Sequence, residues 1–120
     1  MREIKTHIVE GDSVNHQLEL KATDNPIGGA NHNYRVRYPT WEDDYLLEFQ
    51  NGPIAEVGVN GLTNEVLLAV VIDRLEGFQK GRFACLNNSL AINHCVSALK
   101  HLQSRTKDRI ARNVEGTLQE

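Results

Sequence analysis

The pattern of apolar and polar positions divides this 120-residue chain into an alternating half and a helical half. In the first half apolar residues recur every second position, as half-buried strands require. Leu18, Leu20 and Ala22 point one way, and Gln17, Glu19 and Lys21 the other; Arg35 and Arg37 share one face of the next alternating run. The pattern predicts about five short strands, at residues 4–9, 15–23, 34–38, 45–50 and 54–59. Turn chemistry separates them at Gly11-Asp12, Asp24-Asn25-Pro26, Gly28-Gly29, Asn51-Gly52-Pro53 and Asn60-Gly61.

From Leu62 onward the period changes to that of a helix. Residues 63–78 predict a first helix, with Thr63 as N-cap, Glu65 in the first turn, and Leu62 and Leu67 at staple spacing. Its run Val66 to Ile72 holds no polar residue, so it needs cover on every side. A sheet covers one side and a partner helix a second, which leaves the remainder for another subunit. Residues 86–113 predict a second helix, with Leu86, Leu90, Ile92, Cys95, Val96, Leu99 and Leu102 in one stripe. Between them lies a bend from Gly77 to Cys85, flanked by Phe78 and Phe83. The expected fold is therefore α+β in one domain, 1–120: a small N-terminal antiparallel β-sheet (1–61), then a C-terminal two-helix antiparallel hairpin (62–117).

Charge sharpens this picture at one place. The net charge is −3, but residues 1–61 carry 5 basic and 10 acidic side chains, and residues 62–120 carry 8 and 6. A net-acidic chain is a poor bulk binder of duplex DNA. Five of the basic residues lie between Lys100 and Arg112, and Arg105, Arg109 and Arg112 fall on one helix face. They read either as complements of the helix dipole or as an anion cluster. The predicted second helix, at about 42 Å against about 24 Å, outruns its partner. Copies of such an overhang around a symmetry axis bring arginines together, and an anion relieves their repulsion.

Other chemistry is sparse. No phosphate-cradling loop, CxxC pair or HExxH pattern appears, and His94 and His101 are seven apart, so neither metal nor cofactor is expected. No nucleophile–base set is recognisable, so no catalytic residue is assigned. Cys85 and Cys95, about 15 Å apart if both lie on one helix, are too distant to bridge. No run of 18 apolar residues and no apolar leader is present, so the expectation is a cytosolic protein with no membrane partner. The Gly28-Gly29-Ala30-Asn31-His32 run is either a hairpin loop or a ligand-side loop presenting Asn31 and His32. Phe78 is either hairpin packing or a platform for a flat ring.

Taken together, several motifs carry a family resemblance. The stretch 49–117, with QNGPI–EVGVNG, VIDRL, Gly81-Arg82-Phe83-Ala84-Cys85 and an RxxxR followed by VEGT, resembles the phage-encoded Thoeris anti-defence sponge proteins. The loop GGANHNY, residues 28–34, resembles them too, and the hairpin is similar to that of the anti-CBASS sponges. The resemblance covers roughly two-thirds of the chain. It implies non-catalytic sequestration of cyclic nucleotide immune signals in the host bacterial cytoplasm, by a dimer or hexamer. The ligand would be a cyclic ADP-ribose isomer, with cyclic di- or trinucleotides at a separate site. Carried over by motif, Phe78 would stack on adenine, and Asn88, with Asn87 as its competitor, would hydrogen-bond the ligand. Arg105 and Arg109, with Arg112 beside them, would grip phosphates. The loop holding Gly29 and Asn31 would close over the pocket from a neighbouring chain. Arg82 departs from the pattern, standing where a proline is expected, and either reshapes the bend or adds a cation near the pocket. Set against this reading are a protein-interaction module docking through the hairpin, a hydrolase using His32 or His101 as base, and a general nucleic-acid binder.

Overall fold

The computed structural model describes residues 1–112. Its contacts group into two compact units, one of Met1–Asn51 and one that begins at Gly52. The first unit is a four-stranded antiparallel sheet in chain order: β1 (Arg2–Ile4), β2 (Glu19–Ala22), β3 (Asn33–Arg37) and β4 (Tyr45–Glu48). The register puts Leu20 opposite both Ile4 and Val36, and Ala22 opposite Tyr34, which faces Leu47. These residues form the apolar face, extended by an edge-on contact of Tyr34 and Phe49 with ring centroids 5.6 Å apart. On the opposite face Glu19 pairs with Arg37 and Lys21 lies opposite Arg35. The acidic loop before β4 does more than face solvent. Asp44 accepts from Arg37 Nε at 2.7 Å and pairs with Arg35 at 3.2 Å, offsetting the like charges of Lys21 and Arg35.

Two predicted strands differ from expectation. The first, expected over 4–9, runs Arg2–Ile4 and ends where it was expected to begin, and a turn follows in which the Ile8 N–H donates to the Lys5 carbonyl at 3.0 Å. The second begins only at Glu19, because Asp12 Oδ1 accepts the N–H groups of Val14 and Asn15 and caps a 3₁₀ turn over Asn15–Gln17.

The fifth strand is absent among the described residues; Ile54–Val57 is instead a single helical turn, α1. Pro53 leads into it without needing an N–H, and its carbonyl accepts from Glu56 and Val57, both at 3.0 Å. Gly58 ends it at φ 71°. This Pro-then-Gly frame outweighs the β-branched content that predicted a strand.

The remainder is the expected hairpin. α2 (Asn64–Gln79) starts at Thr63, whose side chain accepts the Val66 N–H at 3.2 Å. It runs through Gly77, where the helix was expected to weaken, and ends at Gln79, one residue beyond the expected Phe78, since one helical glycine costs only about 1 kcal/mol. α3 (Leu86–Ala111) follows residues 80–85 and packs along α2. Its expected extension to Asn113, and the VEGT motif beyond, lie outside the described residues. Leu68, Ile72 and Leu75 of α2, and Ile92, Cys95, Leu99 and Leu102 of α3, form the half-buried stripes. The rest of α2 is not covered by its partner: Val66, Val70 and Val71 remain 47%, 59% and 45% exposed. Among the described residues Ala22 is the sole fully buried apolar side chain. No helix is long and apolar enough to cross a membrane among them.

Candidate functional site

The hairpin bend gathers the groups best suited to holding a flat, polar ligand. Phe78 sits in the last turn of α2, where the helix fixes its backbone. Its ring meets Phe83 edge-on, with centroids 6.3 Å apart and planes at 86°. Asn88, in the first turn of α3, donates from Nδ2 to the Phe83 carbonyl at 3.2 Å. Phe78 and Asn88 are thereby brought to the same residue from two different helices. Asn87, its competitor in the sequence reading, is exposed one position earlier.

Two cations flank the aromatic pair. The Arg74 guanidinium lies 4.9 Å from the Phe78 centroid, and that of Arg82 lies 5.1 Å from Phe83. Both distances are within cation–π range. Arg82, the departure noted in the sequence, thus sets its guanidinium beside the Phe83 ring. Arg74 and Phe78 are four apart on one helix, so their pairing was available in the sequence as an i, i+4 contact and was missed.

A second missed residue is Gln79. Its Oε1 accepts the Cys85 N–H at 2.9 Å, and its Nε2 donates to the Cys85 carbonyl at 3.1 Å. No spacing rule signals such a side-chain bridge to the backbone. Cys85 is the N-cap of α3, and its Sγ accepts the Asn88 N–H at 3.4 Å. Both cysteines are free.

The three arginines near the end of α3 are not equivalent. Arg105 is exposed, Arg109 is only 9% exposed, and Arg112 donates from Nε to Asp108 at 2.9 Å. α3, with 26 residues against 16 for α2, is the longer helix, as the sequence suggested.

The glycine loop of the first unit is a built hairpin turn. Ile27 and Ala30 exchange backbone hydrogen bonds of 2.8 and 3.3 Å. Gly28 and Gly29 between them adopt φ of 65° and 87°, the pattern that favours glycine in two-residue turns. Asp24 anchors its base by accepting from the His32 N–H at 3.0 Å, Asn31 Nδ2 at 3.1 Å and the Asn33 N–H at 3.2 Å. The His32 amide foremost, then Asn31 and Asn33, hold the Asp24 carboxyl below its ordinary value against the opposing effect of burial. Asn31 Oδ1 also accepts from Arg2 at 2.7 Å, so one end of its amide serves the loop and the other ties the loop to β1. What the tip presents outward is the backbone of Gly28 and Gly29, with Ile27 58% exposed beside it.

No group of three or more His, Cys, Asp or Glu residues is disposed to hold a metal among the described residues.

Residues 46–107 match the family described as "Acb2/Tad1, hairpin domain". That span takes in most of β4, the bend with Phe78 and Asn88, and most of α3 including Arg105. The chain is also similar to "Thoeris anti-defense 1" of Bacillus phage SBSphiJ7. The two are 48% identical over 71 residues, which cover 59% of this chain and 50% of the relative. The match thus spans about half the length of that curated relative.

Proposed function

We propose that this chain, which belongs to the Acb2/Tad1 hairpin-domain family, is a phage anti-defence protein that binds a cyclic nucleotide immune signal and holds it intact. The observation that carries this reading is the convergence of Phe78 and Asn88 on Phe83 at the hairpin bend. An aromatic ring offers a purine a stacking surface worth about 1–3 kcal/mol per base. A side-chain amide offers both a donor and an acceptor for a base or ribose edge. Arg74 and Arg82 bring positive charge to the same bend, where the diphosphate of a cyclic ADP-ribose isomer finds its counter-charge. The relative's name, with its reference to Thoeris, supports glycocyclic ADP-ribose as the first ligand to test.

The arginines of α3 form a second anion site for cyclic di- or trinucleotides in this reading. Arg105, exposed on that helix, is the side chain it relies on first. Self-association completes the reading, with the exposed valines of α2 as the contact surface. The same valines favour a second reading, in which the hairpin docks on another protein.

Isothermal titration with glycocyclic ADP-ribose tests the proposal. Submicromolar binding by the wild type is expected, and Phe78→Ala or Asn88→Ala should weaken it at least about tenfold. Absence of binding tighter than micromolar by the wild type would sink it. Chromatography of ligand released by heating the complex separates holding from hydrolysis, because intact ligand is expected and a cleaved product points to an enzyme. A pull-down partner lost on Val70→Glu, with nucleotide binding at background, favours the docking reading.

A further inference from the structure

We infer that Gln79 is the positioning residue of the nucleotide site at the bend, an inference that rests on the binding function proposed above. Phe78 and Asn88 belong to different helices, and residues 80–87 between them are all exposed. Beyond the edge-on contact of Phe83 with Phe78, packing therefore does little to hold this segment in one shape. Backbone turn bonds from Gly81 to Phe78 and from Ala84 to Gly81 shape it locally, and what ties its two ends together is the side-chain amide of Gln79, which makes both of its hydrogen bonds to the backbone of one residue, Cys85. The pair imitates a rung of β-pairing and closes residues 80–84 into a short loop.

Both ends of this clamp are tied to ligand-side groups. Gln79 directly follows Phe78 on α2. Cys85 caps α3 and accepts the Asn88 N–H, and Asn88 also bonds to Phe83 inside the clamped loop. The register between the stacking ring and the hydrogen-bonding amide thus passes through Gln79. Its chemistry is demanding. The bridge needs one donor and one acceptor at this length, so a carboxylate lacks the donor and asparagine lacks the reach. Without the clamp the bend samples several shapes, and apparent affinity falls by the fraction that remains competent.

The test uses the full chain and Gln79→Met, which keeps length and helix propensity while removing both hydrogen bonds. Binding of glycocyclic ADP-ribose is titrated at a temperature well below melting, so that a stability loss does not register as weaker binding. The wild type is expected to bind and Gln79→Met to bind about tenfold more weakly, with the folded fraction unchanged. Amide exchange in the ligand-free protein supplies the second readout, in which the Cys85 N–H should lose its protection in the variant. Wild-type affinity in Gln79→Met, or a Cys85 amide equally protected in both proteins, overturns the clamp while leaving the binding function standing. Failure of the wild type to bind overturns both.

Discussion

Single residues differ in how much of their role the alphabet alone reveals. Gly52 was legible as a turn residue from the Asn-Gly pair, and its φ of 94° agrees. The structure adds a second constraint, because a Cβ there would lie 3.1 Å from Cγ2 of Val57. Gly52→Ala meets both backbone strain and a steric contact. It should lower stability by about 1–3 kcal/mol in urea unfolding. Gly81→Ala is the control, with nothing within 4 Å of the new methyl, and should stay within about 0.5 kcal/mol of wild type. Equal effects from the two would show that Gly52 is not conformationally required. Asn88 was singled out only through a resemblance, whereas Phe78 stood open between hairpin packing and a platform for a flat ring before any resemblance was drawn. Gln79 was not read at all, because the position of its partner Cys85 depends on how the bend folds; Arg74 was missed although its i, i+4 spacing to Phe78 offered the contact.

At the scale of elements, boundaries moved wherever side chains competed with the backbone pattern. Asp12 and the Pro53–Gly58 frame each converted predicted strand into a helical turn. The glycine hairpin shows the same principle in reverse, with one carboxylate organising a whole loop. The Asp24 carboxyl sits below its ordinary value, so its contribution to the loop is complete above about pH 4 and is lost as pH falls through the folded value. Acidification should therefore open residues 24–33, read by NMR as loss of the His32 and Asn33 amide shifts from their neutral-pH positions. Asp24→Ala should produce the same change at neutral pH. Amide shifts that stay put from about pH 5 to about pH 2 would contradict this role.

At the scale of the whole molecule, α2 is apolar almost all round yet is covered on one face only. Burying a valine side chain contributes roughly 1.5–3 kcal/mol, so leaving Val66, Val70 and Val71 in water is costly. The open groove along Val66, Ala69, Val70, Asp73, Arg74 and Gly77 follows this face of α2. Small residues at Ala69 and Gly77 leave room for another helix to approach closely. Mass photometry and sedimentation should accordingly find an assembly larger than the monomer. Val70→Glu, which places a charge at the middle of the groove, should shift it towards monomer with its helical circular dichroism retained. A wild type that sediments as a monomer at tens of micromolar would refute the role given to this face.

By itself the sequence determined the α+β class, the sheet followed by a helical hairpin, the N-cap at Thr63, the shared face of Arg35 and Arg37 and the greater length of α3. Each of these follows from periodicity, capping or chain length, which act between residues a few positions apart. Tertiary structure decided what Asp44 neutralises, that the Asn31 amide is divided between Asp24 and Arg2, and that Gln79 bridges to Cys85. Those outcomes depend on which polar groups meet after the chain has turned back on itself. A hydrogen bond is made or lost over less than an ångström, a distance that local patterning does not resolve.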